Sequence, residues 1–282
     1  MAIRQVVLDF DGTCTLVENI QRAFLERYRA LVAAEWSTEA AEQWDENVAA
    51  VRAASPVAAW MLGGAPAAPA AADPYILSGE VVALTARRLG VRAPAAAASW
   101  YFTAYHENPA PLRAELHDLI VGLVDDGCQV AFVSNSDRKK VAERITEIGL
   151  PPEIAERVQV HGNAAKFCIQ ELWFEKPPSE PLAARFRALP PTARSSLERP
   201  LYLRRGAYFH ALAGVWEKNG TTPEETLVVG DVWEMDLAMP AQLGCRLVLV
   251  RRPDPYPPYD YELEAAADAN AIVVDDLTQL GK

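Results

Sequence analysis

The feature that most constrains this chain is Val6-Val7-Leu8-Asp9-Phe10-Asp11-Gly12-Thr13, an apolar run that closes on two aspartates one residue apart. Its length and branched composition suit a buried parallel strand, and turn residues follow at once. Asp9 and Asp11 therefore fall at the strand's carboxyl end, where open α/β sheets bind ligands. Alternation along a strand sends both side chains to the same side. Two carboxylates so placed repel each other unless a cation or a shared proton intervenes, and an oxygen-only site suits a hard cation such as Mg²⁺. The pair then permits a division of labour: one carboxylate attacks and the other moves a proton. Taken alone, such a pair is as well explained by an acidic turn, so the rest of the chain has to decide.

A second acidic constellation lies far downstream. Thr226-Leu227-Val228-Val229-Gly230-Asp231 is another short apolar run ending in an acid, and Asp236 follows five residues later. Gly230 allows the backbone to turn tightly as the strand ends. A third strand end, Gln129-Val130-Ala131-Phe132-Val133, leads into Ser134-Asn135-Ser136. A hydroxyl and free backbone amides ahead of a helix make an anion site. Together the three strand ends offer a metal cage, a nucleophile and a phosphate cradle.

In order and spacing, DFDGT at 9–13, the strand ending at Ser134 and GDVWEMD at 230–236 resemble motifs one, two and four of the haloacid dehalogenase-like (HAD) hydrolase superfamily. The resemblance covers most of the chain outside residues 14–110. It implies an α/β fold: a Rossmann-like parallel sheet with helices on both faces, and a mostly helical cap domain. It further implies that Asp9 is the nucleophile, forming an aspartyl-phosphate. Asp11 would protonate the leaving group and then activate water. Ser134 and Asn135 would bind the phosphoryl group. Asp231 would hold Mg²⁺ with Asp9 and the backbone carbonyl of Asp11, supported by Asp236. The dehalogenases of the superfamily lack the second acid of motif one, so Asp11 favours phosphoryl chemistry.

Motif three departs from the pattern. The family places a Lys, often followed by Pro, upstream of the Gly-Asp of motif four. Here Arg205 falls near that position and Gly206 replaces the Pro. Arg supplies the charge, but its planar fork is not a copy of an ammonium group. Lys166, just after an expected strand at 157–160, is the other leading candidate. Lys176-Pro177 imitates the pair and ranks last.

Composition agrees with a globular enzyme. The chain has 282 residues, half of them hydrophobic, and a formal net charge of −11. No basic run interleaved with aromatics points to nucleic acid. Cys14, Cys128, Cys168 and Cys245 are scattered, which argues for neither zinc nor a disulfide framework. No apolar segment is long enough to span a bilayer, and the first strand leaves no room for a signal peptide, so a cytoplasmic location is expected. The oligomeric state stays open.

The motifs divide the chain into a core of residues 1–13 and 111–282 and a cap of residues 14–110. Within the cap, Ile20, Phe24, Tyr28 and Leu31 recur at helical spacing, 38–54 carries a helix start signal, and 74–89 and 96–106 are further helices. Residues 55–73, rich in Ala, Pro and Gly, read as a long loop. The aromatic stretch at 100–106 either faces the substrate or fills the cap core, the second being the commoner arrangement. In the core, 167–174 and 200–203 are expected to pair as a hairpin around a Pro-rich loop. The excursion 167–205 as a whole suits a lid or an oligomer contact. The function expected is Mg²⁺-dependent hydrolysis of a small phosphorylated metabolite. The alternative is a catalytically weak relative that binds a phosphorylated ligand or a protein partner.

Overall fold

The computed structural model describes residues 2–172 and 176–281. Among these residues the strands are, in chain order, β1 (Gln5–Leu8), β2 (Ala59–Leu62), β3 (Ala65–Pro69), β4 (Gln129–Val133), β5 (Val158–His161), β6 (Thr192–Ala193), β7 (Leu201–Tyr202), β8 (Thr226–Gly230), β9 (Arg246–Val250) and β10 (Ile272–Val274). Six of them form one sheet in the order β10-β9-β8-β1-β4-β5, and every neighbouring pair is parallel. β1 lies between β4 and β8, with Leu8 opposite both Phe132 and Val229. The residues that follow β1, β4 and β8 therefore meet at one edge. These are the three strand ends that the acid and Ser-Asn motifs single out.

Alternation along the strands builds two cores. Val7, Ala131, Val133, Val228 and Leu249 face one, and Val6, Leu8, Phe132, Val229 and Val248 face the other. Both faces are buried, which is why the strands read as nearly unbroken apolar runs.

The helices sort the same way. α1 (Gln21–Glu35), α2 (Thr38–Glu42), α3 (Trp44–Ala54), α4 (Pro74–Leu89) and α5 (Ala97–Glu107) belong to the insertion between β1 and β4. α6 (Leu116–Asp125), α7 (Arg138–Thr146) and the short α8 (Pro152–Ala155) cover one face of the sheet. α9 (Glu180–Ala188), α10 (Gly206–Asn219), α11 (Ala238–Leu243) and α12 (Asp260–Asp268) cover the other. The insertion buries a cluster of its own around Phe24, Tyr28, Trp44, Leu77 and Trp100. Trp100 is fully buried there and donates to Glu35 at 2.8 Å, so this member of the aromatic stretch is a core residue. No helix among the described residues is long and apolar enough to cross a membrane. All four cysteines are free thiols.

Three local expectations change. Residues 55–73 are not one loop: β2 and β3 form an antiparallel ribbon across Gly63 and Gly64. Both glycines have positive φ, 57° and 83°, as a two-residue hairpin turn requires. The Gly-Gly pair was the legible sign of it. Residues 38–54 form two helices rather than one, the first capped by Ser37 Oγ, which accepts from the Ala40 amide at 3.0 Å.

The hairpin expected from 167–174 and 200–203 is replaced. β7 pairs instead with β6, and the excursion contributes α9, whose Phe186 is buried in the sheet core. Of 167–174, Gln170 makes one isolated parallel bridge to Arg205, and Trp173 and Phe174 lie outside the described residues.

Phe132 is fully buried in the middle of the sheet and meets Phe10 edge-on, with ring centroids 6.0 Å apart. Phe132→Ala should cost about 3–5 kcal/mol in urea denaturation, whereas truncating Phe102, which is 58% exposed, should change stability by no more than about 0.5 kcal/mol.

Candidate active site

At the shared strand edge, Asp9 follows β1 directly and its amide donates to the Val229 carbonyl at 2.9 Å. Lys166 Nζ stands 2.6 Å from Asp9 Oδ1 and 2.8 Å from Asp236 Oδ1, and all three side chains are buried. Asp231 lies beside them and accepts from Thr13 Oγ1 at 3.2 Å. The Asp236 side chain is presented by a single π-helical turn, Trp233–Leu237, and its Oδ2 accepts from the Val232 amide at 3.0 Å. One-turn π segments re-aim side chains and recur at functional sites.

Backbone fit is tight around this cluster. A Cβ at Gly12 would lie 2.4 Å from Asp231 Oδ2, and one at Gly230 would lie 2.3 Å from the Asp236 Cβ. Gly12 also has φ +88°, which disfavours any side chain.

Lys166 reaches the site from an unusual turn. After β5, Asn163 and Ala165 both adopt positive φ, 54° and 44°. Such a conformation costs energy for residues with a Cβ and persists only where the surroundings enforce it. They do so here. Asn135 Oδ1 accepts from the Lys166 amide at 2.7 Å, and Arg205 Nη1 donates to the Lys166 carbonyl at 2.6 Å.

The two leading candidates for motif three thus have different places. Lys166 touches the Asp9 carboxylate. Arg205 does not: its guanidinium is buried between the carbonyls of Lys166 and Ala67, the latter at 2.8 Å. Burial, as the leading cause, lowers its pKa to about 10. The expectation of Arg205 as a charge near the phosphate is therefore corrected to a residue that fixes the backbone of Lys166. Alignment of α10 with the family helix misled, because the lysine that reaches Asp9 comes from the turn after β5. Lys176 is exposed.

Asp11 points elsewhere. Its Oδ2 accepts from Ser136 Oγ at 2.5 Å and its Oδ1 from the Tyr105 hydroxyl at 3.0 Å. Its side chain is not part of the carboxylate cluster formed by Asp9, Asp231 and Asp236. Burial raises its pKa. Ser134 is buried after β4, and its Oγ accepts from the Ser136 amide at 3.0 Å. Ser136 and Tyr105 were not among the expected site residues. Ser136 sits two positions after Ser134, and Tyr105 lies in the aromatic stretch, so each had a local sign but no motif.

The donors of the cluster fit a metal ion. Asp9, Asp231 and Asp236 each bring a carboxylate oxygen within 4.8 Å of the others, all buried and all oxygen. Burial lifts Asp9 to about 7 despite the pull of Lys166, and burial with Asp236 and Asp9 lifts Asp231 well above the usual carboxylate range. One ammonium does not balance this set of acids, and a hard divalent cation such as Mg²⁺ would.

Asp9, Asp11, Asp236, Ser134 and Asn135 line a cleft of about 750 Å³ whose other walls come largely from the insertion. The parallel sheet is Rossmann-like, with clustered carboxylates and a buried lysine at the carboxyl ends of its strands. Residues 203–280 match the family described as HAD-hydrolase-like. No curated protein matches the sequence.

Among solved structures, the chain is similar to a predicted phosphoglycolate phosphatase of Haemophilus somnus, with 17% identity, TM-score 0.54, and 99% of this chain and 96% of the other covered. It is also similar to the magnesium-bound HAD-hydrolase YfnB of Bacillus subtilis, with 14% identity, TM-score 0.52 and coverage of 99% and 97%. A candidate β-phosphoglucomutase of Thermotoga maritima gives 11% identity, TM-score 0.50 and coverage of 97% and 94%. At these identities the likeness is one of fold.

The electrostatics set a test. Burial raises Asp9 to about 7 in the folded protein, whereas in the unfolded chain it ionises at the ordinary aspartate value of 3.8. The folded state therefore holds more protons between these values, and its ionisation lowers stability as pH rises through that window. A cation that replaces the proton should stabilise most where the proton is gone. Saturating Mg²⁺ should raise the melting temperature more at pH 8 than at pH 5, the gain at pH 8 being about 2.7 kcal/mol of stability at one hundred times the Kd measured there. Asp231→Ala should remove most of that gain; an undiminished gain would exclude Asp231 from the cage.

Proposed function

We propose that this hydrolase is a Mg²⁺-dependent phosphohydrolase that cleaves a small phosphate monoester through a phosphoaspartate on Asp9. The observation that carries the reading is the contact of Lys166 Nζ with the Asp9 carboxylate at 2.6 Å, with Asp11 held separately by Ser136 and Tyr105. Lys166 opposes the effect of burial on Asp9 and favours the ionised form that attack requires. Burial raises the pKa of Asp11, which suits it to carry a proton.

In this reading an Asp9 oxygen attacks phosphorus while the bond to the leaving oxygen breaks, and Asp11 gives that oxygen its proton. Asp11 then takes a proton from water, which attacks the phosphoaspartate and releases Asp9 and phosphate. Ser134, Asn135 and the amides after β4 orient the phosphoryl oxygens. Asp9, Asp231 and the backbone of Asp11, supported by Asp236, would hold Mg²⁺, which supplies charge stabilisation of the phosphoryl group. The insertion acts as a cap that keeps bulk water from the site and contributes the wall opposite the strand ends.

The binding-only alternative rested on the missing Lys-Pro signature and on the long 167–205 excursion. The contact of Lys166 with Asp9 speaks against the first ground, and α9, packed on the sheet, gives the excursion a place in the core. Phosphoryl rather than halide chemistry rests on Asp11, an acid that a displacement at carbon does not need.

Turnover of p-nitrophenyl phosphate should require Mg²⁺. Asp9→Asn should lower kcat by on the order of three powers of ten or more, because an amide forms no acyl-phosphate. Lys166→Met should approach that loss, and a beryllium fluoride adduct should attach at Asp9. Near-wild-type rates in Asp9→Asn would sink the assignment.

A further inference from the structure

We infer that the alcohol part of the substrate is a flat aromatic group without a second negative charge. The inference rests on the phosphatase reading and deepens it.

Beyond the acids, the walls of the cleft are chiefly apolar and aromatic. Trp60 and Phe167 are in contact, with ring centroids 5.2 Å apart, and both pack against the small apolar cluster that holds Ile76, Val232 and Met235. Tyr75, Tyr101 and Tyr105 form a second group: Tyr101 stacks on Tyr105 at 5.4 Å, and Tyr75 meets Tyr105 edge-on at 5.2 Å. Phe102 lines the same cleft while 58% exposed, a large ring left to solvent unless a ligand covers it. The volume, about 750 Å³, accommodates a ring system next to the phosphoryl site.

The charges point the same way. No arginine lines the cleft among the described residues, so no bidentate partner awaits a carboxylate or a second phosphate. The basic side chains present are Lys140 and His106. Lys140 is turned onto the Tyr105 ring, 3.3 Å from its centroid, and lies 3.4 Å from His106 Nδ1. Asp73 and Asp137 line the walls as acids and oppose a further anionic group. Asp137 is committed to capping α7, and Asp73 to capping α4, where its Oδ1 accepts from the Ile76 amide at 2.7 Å. Tyr75 Oη is buried without a hydrogen-bond partner, but the rings of Trp60, Phe102 and Phe167 offer a sugar's hydroxyls no acceptor, and burying those hydroxyls against them would oppose binding. An aromatic ring has faces and edges to meet.

The test compares phosphate esters of primary alcohols, which keep leaving-group acidity close: benzyl phosphate, a nucleoside 5′-monophosphate, glucose 6-phosphate and phosphoglycolate, each with Mg²⁺. At least one aromatic ester should exceed both non-aromatic ones in kcat/KM by about tenfold or more. Benzyl phosphate ahead assigns a simple aryl group, and the nucleotide ahead assigns a base carried on a sugar. Trp60→Ala and Phe102→Ala should each shrink the aromatic preference. Phe102 is exposed enough that its variant reports on the cleft even if the Trp60 variant folds poorly.

Glucose 6-phosphate or phosphoglycolate matching the aromatic esters, or an undiminished preference in Phe102→Ala, would overturn the inference. If no ester is turned over, calorimetry with benzylphosphonate and phosphonoacetate decides. Tighter benzylphosphonate by about tenfold upholds the cleft while the phosphatase reading falls alone, and equal or reversed affinities overturn both.

Discussion

The site depends on one ammonium group held among carboxylates. Lys166 Nζ lies between Asp9 and Asp236 with almost no solvent around it. Burial opposes its charge, but Asp236 and Asp9 outweigh that effect and keep its pKa above the ordinary lysine value. Removing one partner of such a buried pair leaves the other uncompensated, which costs about 3–5 kcal/mol. The cluster is therefore as much a constraint on folding as a reactive centre. Three strand ends, a π turn and a turn with two positive-φ residues have to arrive together for it to form. Arg205 and Asn135 pin the Lys166 backbone on both sides, at its carbonyl and its amide. They offset the local strain at Asn163 and Ala165.

The same bonds tie the insertion to the sheet. Arg205 reaches the Ala67 carbonyl on β3, so the residue that fixes Lys166 also anchors the ribbon that carries Trp60. Arg199 pairs with Glu234 in the π turn and donates to the Pro56 carbonyl at 2.9 Å. Tyr259, just before α12, donates to Ser55 Oγ at 2.7 Å. The excursion at 167–205 thus has a physical place. Its final residues bridge insertion and site, and α9 fills a sheet face. The chain holds the insertion against the strand ends, with Tyr105 of α5 bonded directly to Asp11.

How much of this was legible follows from what each interaction needs. Buried parallel strands announce themselves by composition, so the sheet, its two faces and the motif residues at its edge could be read. The amphipathic helices of the insertion could be read for the same reason. The Gly-Gly turn at 63–64 was equally visible but was outweighed by the Ala and Pro around it. The motif-three lysine could be narrowed to Lys166 and Arg205 and no further. Both follow short apolar segments, and only the path of the chain through Asn163 and Ala165 decides which cation reaches Asp9. Ser136 and Tyr105 carry no motif because they act on Asp11 through geometry that two distant segments create jointly.

That difference also explains why chemistry is more legible than specificity in a chain of this kind. The reacting groups sit at strand ends, where sheet register leaves little freedom and residue type is dictated by charge. The walls of the cleft come from α4, α5 and the β2–β3 ribbon, whose side chains have to satisfy packing on one side and a ligand on the other. Trp100 and Tyr105 are neighbours in one aromatic stretch, yet the first is buried in the insertion core and the second touches the acid. Helical geometry sets them roughly 140° apart around α5, so one side chain turns into the insertion core while the other reaches Asp11. Selectivity for a leaving group then rests on which faces of a few rings remain uncovered once the insertion has packed, a property of the assembled molecule rather than of any one segment.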